Sequence, residues 1–396
     1  MFFRRHFHFL KHVFLHSITA FGGPQNHLLQ MRKRFCEKYN YLSEEELMEL
    51  NAFCNILPGP TSTQILSAIG FKRGKLPLAV LTLIIWLLPP TVLFTSLVMM
   101  LRYFTNHGLS VSFFKYLQPM ALGFLAFAGY KMIRTVITTG NAIIILMITL
   151  LTTFFIQSPF TFPIIFLMSV IISNFRHDDL PPYKFNLKLK WGNIVLFIGL
   201  ALAAALMGAY TTSYHTNWHK PIVLFENFYR FGALTFGGGQ LLVPVMYEQF
   251  VLHKHYMTSE AYLTGVGLVQ ALPGPVFSIA VYTGGIAMQD MGKLSQLLGC
   301  LVGMVGIFLP GFLLLIFLFP VWSELRNYPF IKRGLAGINA ATVGFIIAAS
   351  ILMYHKLEFD WANVLVIALV FIALLSEKIP APFIALACLI AGFVFV

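Results

Sequence analysis

Phe21-Gly22-Gly23-Pro24-Gln25 and Leu57-Pro58-Gly59-Pro60 are clusters of helix breakers set in apolar sequence, and both return later as Phe236-Gly237-Gly238-Gly239-Gln240 and Leu272-Pro273-Gly274-Pro275. A single offset of 215 residues aligns both pairs without a gap. Between them Met31, Phe35, Tyr41 and Glu45 meet Met246, Phe250, Tyr256 and Glu260, and beyond them Gly70 meets Gly285. That makes 13 identities over the 50 positions from 21 to 70. They gather on Gly and Pro rather than on the common apolar types, so shared composition does not produce them. The chain is two copies of one unit.

Apolar types make up 58% of the 396 residues and charged types 11%, against about 45–50% and about 25% in soluble domains. Too little charge is present to clothe a water-facing surface. Stretches such as 76–101, 191–210 and 297–321 reach or exceed the roughly 20 residues a helix needs to cross the hydrocarbon layer, so this is an all-α integral membrane protein set in a lipid bilayer. The net charge of +12 is scattered through short loops and does not form the basic face that binds nucleic acid. Arg4, Arg5, His6, His8 and Lys11 interrupt the start, which therefore lacks the apolar core of a cleavable signal. Cys36, Cys54, Cys300 and Cys388 show no C-x-x-C pairing and read as packing residues.

Val13 to Leu29 and Leu50 to Phe71 are too short on either side of their breaks to cross, and read as half-helices or re-entrant hairpins. Ser43 and Glu46 have capping-box spacing, which predicts a helix from there to Pro58. Crossings are expected near 76–101, 113–133, 141–157 and 160–175, with an extra helix near 191–210. The expected parts are a first repeat over 1–175, a basic cytoplasmic loop and linking helix over 176–211, and a second repeat over 212–396. With the broken pairs entering and leaving on one side, 20 of the 27 Lys and Arg fall on one face and 7 on the other. The crowded face is cytoplasmic. The odd linking helix then turns the second copy over, giving inverted-topology repeats, each with two broken segments followed by about four crossing helices. Broken helices at matching positions of inverted repeats are a pointer to a transporter's substrate site near the midplane.

A helix that begins inside the membrane leaves its first N–H groups unpaired and places its positive dipole end there, which suits an anion. Pro60 fits the first helical position, followed by Thr61, Ser62, Thr63 and Gln64 as donors. Pro24 precedes Gln25, Asn26 and His27. The second copy offers Gln240 and Ser278. Glycines 22, 23, 59, 237, 238, 239 and 274 let backbone approach a ligand, and Pro58, Pro273 and Pro275 frame the breaks. Carboxylates are nearly absent from these stretches, which disfavours a metal cation and suits a compact oxyanion.

The motifs Phe21-Gly22-Gly23-Pro24 with His27, and Leu57 to Gln64, resemble those of the chromate ion transporter family in its long two-repeat form. So do Leu234 to Gly239, Leu272-Pro273-Gly274-Pro275 with Phe277, and Gly337-Ile338-Asn339-Ala340-Ala341-Thr342-Val343-Gly344. The resemblance spans essentially the whole chain. It implies chromate efflux across a bacterial inner membrane, with sulfate as the related tetrahedral dianion. Ser17 departs from the Gly expected ahead of the first motif, which bears on close packing there.

No H-E-x-x-H, G-x-S-x-G or intramembrane acid cluster supports an enzyme, and no motif calls for a cofactor. Gly70-Phe71-Lys72-Arg73-Gly74-Lys75-Leu76 falls one short of a phosphate-loop spacing. Without an ATP site, uphill transport draws on an ion or counter-anion gradient, while an anion channel is the rival reading. His8, His12 and His16 share a helix face, read as an amphipathic leading helix with Phe7, Phe14 and Leu15 toward lipid rather than as metal ligands. Glu226 and Arg230 are spaced for a salt bridge. Asn339 is either a helix-to-helix hydrogen bond or a ligand, and a homodimer is left open.

The charge bias sets an orientation test. Single cysteines at Arg34 and Arg333 should be shielded from an outside-added impermeant thiol reagent, and those at Tyr256 and Lys356 labelled by it. Residues 34 and 256 on one side would end the inverted arrangement.

Overall fold

The computed structural model describes residues 2–108, 112–156, 158, 161–175, 191–214, 218–236, 239, 241–322, 329–357 and 359–395. Every regular element among them is helical. The first copy opens with α1 (Phe2–Thr19), α2 (Gly23–Met31), α3 (Glu44–Ile56) and α4 (Thr61–Asn106), followed by α5 (Leu117–Val136), α6 (Gly140–Phe155) and α7 (Thr161–Asn174). After α8 (Trp191–Tyr214) the second copy runs through α9 (His219–Leu234), α10 (Leu242–Tyr247), α11 (Ser259–Ala271), α12 (Ile279–Ala287) and α13 (Lys293–Leu318). It ends with α14 (Pro329–Lys356), α15 (Trp361–Leu375) and α16 (Ala381–Phe395). The basic loop expected over 176–190 lies outside the described residues.

The sequence repeat is also a backbone repeat. Wide π-helical turns at Arg32–Lys38 and Glu248–His253 are each followed by a left-handed residue, Asn40 (φ 47°) and His255 (φ 51°). Tyr41 N–H then reaches Phe35 O at 2.7 Å, and Tyr256 N–H reaches Phe250 O at 2.8 Å. These uncommon conformations recur at the offset of 215 found in the sequence. The predicted capping box is present: Ser43 Oγ accepts Glu46 N–H (3.1 Å) and Ser43 N–H donates to Glu46 Oε2 (3.0 Å). The helix it starts ends at Ile56, where Leu57 turns extended (φ −80°, ψ 144°) ahead of Pro58.

The 46-residue α4 would extend about 69 Å if straight, far beyond a bilayer. It reverses instead at Gly74 (φ −153°) and Lys75 (φ 59°). A Cβ at Gly70 would meet Ala79 Cα at 3.1 Å and Thr82 Oγ1 at 2.5 Å, so the arm before Gly74 lies back along the arm after Lys75. The segment that resembled a phosphate loop is this hairpin tip. In the second copy α12 lies back along α13, with Gly284 against Gly299 and Ala280 against Gly303. Each Pro-Gly-Pro break therefore opens a half-helix that returns on a long helix.

By length and composition Thr61–Asn106, Lys293–Leu318 and Arg333–Lys356 are long and apolar enough to cross a membrane, although the first of them reverses at Gly74 and Lys75. The segments expected to cross near 141–157 and 160–175 form helices of 16 and 14 residues, about 24 and 21 Å long. Both are shorter than the roughly 30 Å hydrocarbon core.

The fold has two compact units, which interleave the copies rather than coincide with them. The first holds Met1–Val111, Lys190–Gly239 and Leu268–Phe319, and the second Ser112–Leu189, Gln240–Gly267 and Pro320–Val396. The compact units do not follow the repeat boundaries expected near 175 and 212. In the first unit α13 packs on α9 and α12, and α1 on α4. In the second, α14 packs on α5, α6 and α7 through small residues, with Gly344 against Thr149 and Leu146 and Gly337 against Ser169, the usual route to close helix approach in lipid. All four cysteines are buried and free.

Lys72 Nζ sits 2.7 Å from Glu46 Oε1, and this contact, with the Ser43 N–H, holds the Glu46 carboxyl below its ordinary range. A depressed carboxyl stabilises the fold above its unfolded pKa and loses that contribution as pH falls through the folded value. Glu46→Gln keeps an acceptor for the cap and removes the titration. Melting curves in detergent should show wild type losing stability relative to Glu46→Gln on acidification below about pH 4.3, the ordinary Glu value. Parallel pH profiles would refute the coupling.

Candidate functional site

Both breaks belong to the first compact unit, and each is completed by the other copy. Gly59 N–H donates to Thr235 O at 2.7 Å and Gly274 N–H to Ala20 O at 2.8 Å. Donors 59 and 274 are 215 apart, as are acceptors 20 and 235. The contact is reciprocal, the pattern of two elements related by a two-fold axis. It depends on positive φ at Gly59 (110°) and Gly274 (121°), a region that disfavours every other residue.

Past Pro60 the first intrahelical bond is Gln64 N–H to Pro60 O at 3.0 Å, so the amides of Thr61, Ser62 and Thr63 point out of the helix start without an intrahelical acceptor. Pro60 itself is the cap (φ −77°, ψ 94°), one residue before the position expected for it. Thr61, Ser62, Thr63 and Gln64 are all buried. Gln64 Nε2 donates to Pro58 O (2.8 Å) and Gly311 O (3.2 Å), which staples the break to itself and to α13 and leaves Oε1 buried without a partner. Thr63 Oγ1 accepts the Trp86 indole N–H at 2.9 Å. In this conformation the Thr63 and Gln64 side chains therefore organise the helix end that their amides form. Across the pseudo-axis Pro275 is also extended, and the helix starts with a tighter turn in which Ser278 N–H donates to Pro275 O at 2.9 Å.

The glycines divide into two kinds. A Cβ at Gly59 would meet Gln64 Nε2 and Gly311 Cα at 3.2 Å, one at Gly274 would meet Pro90 Cβ at 2.7 Å, and one at Gly239 would meet Val276 Cβ at 2.6 Å. These three are demanded by protein packing. Gly22 (φ 88°) and Gly23 (φ 80°) open α2, and a Cβ at Gly23 would meet nothing within 4 Å. Pro24 and Gln25 follow in the first turn of α2. Gly237, Gly238 and Gln240 lie outside the described residues, while Pro273 closes the second break ahead of Gly274 and is buried. Asn339 is half-buried in α14 and belongs to the second unit, whereas both breaks belong to the first.

His27 is buried in α2, its ring edge-on to Trp86 with centroids 5.8 Å apart. Ser17, the departure from the expected motif, donates to Trp86 O at 2.6 Å. The second copy has Gly232 there, packed against Ile307 O. The histidine stripe does not converge: His12 stacks on Tyr39 and bonds Tyr41 Oη at 2.8 Å, His16 stacks on Trp86, and His8 is exposed. Among the described residues no three metal-ligating side chains meet. Glu226 and Arg230 form the expected pair at 2.9 Å. Sequence reasoning missed Trp86, which reads as one more residue of an apolar run. It also missed Glu248, a buried carboxyl at the position that Lys33 holds in the first copy.

The family described as "Chromate transporter" matches residues 7–173 and 222–393, one match per copy. A probable chromate transport protein of Synechococcus elongatus is 24% identical over 95% of this chain and 92% of its own length. A chromate transport protein of Cupriavidus metallidurans is 23% identical over 95% and 89%, and an uncharacterized transporter of Methanocaldococcus jannaschii 24% over 95% and 91%. No solved structure matches.

Close approach and positive φ together predict that Gly59→Ala and Gly274→Ala each cost about 1–3 kcal/mol. Unfolding midpoints in detergent should fall for both variants. Unchanged midpoints would show that the breaks tolerate a side chain.

Proposed function

The chain belongs to the chromate transporter family, and on that premise we propose that it is a secondary transporter of tetrahedral oxyanions whose cargo is chromate, with sulfate competing for the same site. The observation that carries this reading is the reciprocal pair of bonds at Gly59 and Gly274, which sets two helix starts beside two breaks within one compact unit. The three outward-facing amides of Thr61, Ser62 and Thr63, the dipole of the helix behind them and the open side of Gly23 favour a compact anion. No carboxylate is present in either break to hold a metal cation.

In this reading the copies are inverted in the membrane, the N-terminus and the crowded basic face are cytoplasmic, and the anion is held near the midplane. The direction is efflux across a bacterial inner membrane. Desolvating a dianion is costly, so each donor removed leaves an oxygen unpaired, at about 1.5–3 kcal/mol for a hydrogen bond to a charged group.

Thr63→Ala or Gln64→Ala keeps the backbone amides but slackens the helix end that the side chains organise, and should weaken apparent affinity for chromate roughly ten- to a hundred-fold. Thr342→Ala, which removes only a hydroxyl bonded to Ile338 O within α14, should do little. In inverted vesicles, excess sulfate should inhibit chromate uptake and chloride should not. Failure of sulfate to compete, with normal affinity in both break variants, would place the anion elsewhere.

A further inference from the structure

His16 and His27 are fully buried in the first compact unit, and none of their four ring nitrogens has a hydrogen-bond partner. The Ala20 carbonyl lies beside His27 as a backbone acceptor and already takes Gly274 N–H. Both imidazoles rest on Trp86: His16 stacks on it with centroids 5.3 Å apart and planes at 19°, and His27 meets it at 85°. Arg34 is adjacent. Its neighbour Phe35 packs its ring 5.5 Å from that of His16, and Arg34 Nη2 donates to Thr19 Oγ1 at 3.2 Å, three residues beyond His16. Arg34 Nη1 is buried and unpartnered. No carboxylate pairs with Arg34 among the described residues, whereas Arg32 close by is paired with Glu37 and Glu44.

Burying polar groups without partners is costly, and the second copy shows that packing does not require these. At the offset of 215, Phe231 stands for His16, Leu242 for His27, Leu301 for Trp86 and Gln249 for Arg34. Phe231 and Leu242 are buried as deeply as the histidines they replace. At matching positions of the repeat, one copy carries hydrocarbon and the other imidazole.

We propose that His16, His27 and Arg34 form an oxyanion subsite confined to the first copy, in which one N–H of each imidazole and Arg34 Nη1 donate to the oxygens of a tetrahedral dianion. The subsite rests on the reading of the chain as an oxyanion transporter and adds the residues that take the cargo next to the polar turn Arg32–Lys38. A neutral imidazole offers one donor, so the set supplies three donors to four oxygens. The guanidinium repels a metal cation and attracts an anion.

The test is equilibrium binding of labelled sulfate to the purified full chain in detergent, with chromate as competitor and chloride as control. His16→Phe, His27→Leu and Arg34→Gln each install the residue that the second copy already carries. Each should elute as wild type on gel filtration and bind sulfate at least ten-fold more weakly. In a chain whose other tryptophans (Trp191, Trp218, Trp322 and Trp361) are Phe, sulfate should shift Trp86 emission, and Arg34→Gln should abolish the shift. If one variant fails to fold, the remaining two and the Trp86 signal decide. Wild-type affinity in the folded variants with a silent Trp86 overturns the subsite while leaving the transport reading intact. A wild-type chain that binds neither sulfate nor chromate overturns both, and chloride displacing sulfate at equal concentration overturns the tetrahedral assignment.

Discussion

Two backbone hydrogen bonds, Gly59 N–H to Thr235 O and Gly274 N–H to Ala20 O, are the constraint on which the arrangement of the breaks depends. A helix interrupted in apolar surroundings exposes N–H and C=O groups that hydrocarbon cannot satisfy. Each copy meets that requirement with a carbonyl from the other, taken from the residue just ahead of its own Phe-Gly-Gly. One copy alone would leave a donor at 59 or 274 and an acceptor at 20 or 235 unpaired, so each break is completed by a second copy of the unit.

The same constraint explains much of the motif without reference to cargo. Gly59 and Gly274 need positive φ to aim their amides across the pseudo-axis, and neither has room for a Cβ. Gln64 spends both side-chain donors on Pro58 O and Gly311 O, which fixes the direction of the half-helix that follows. Beyond this framework stand the first amides of α4, the open side of Gly23 and the unpartnered groups around Trp86, which are the groups the proposed anion site draws on. Conformation and packing account for the glycines and prolines, and electrostatics for the residues between them.

The repeat, the positions of the breaks and the Ser43–Glu46 box were legible in the sequence because each is written in local pattern or in self-similarity. The hairpin at Gly74 and Lys75 was not, since Gly70 to Leu76 carries the same letters whether it cradles a phosphate or turns a chain. The staple from Gln64 to Gly311 joins residues 247 apart in sequence, and no local period announces it. Trp86 was hidden for a related reason: in a run of apolar residues, the one that bonds Thr63 and supports two imidazoles looks like one that faces lipid. The interleaved units were equally out of reach, because self-similarity reports where the chain was duplicated and not which segments pack together.

Because the reciprocal contact uses backbone atoms only, it constrains glycine and proline and leaves the other side chains free. The 13 identities over residues 21–70 accordingly sit largely on the breakers and a few aromatic and polar anchors, while 16, 27 and 34 have parted company with 231, 242 and 249. Two identical copies would carry the same side chains at both sets of positions. Divergence removes that degeneracy: imidazoles and a guanidinium in one copy, hydrocarbon and an amide in the other. The side chains at these positions thus differ between the copies while the backbone bonds that hold the breaks together stay the same.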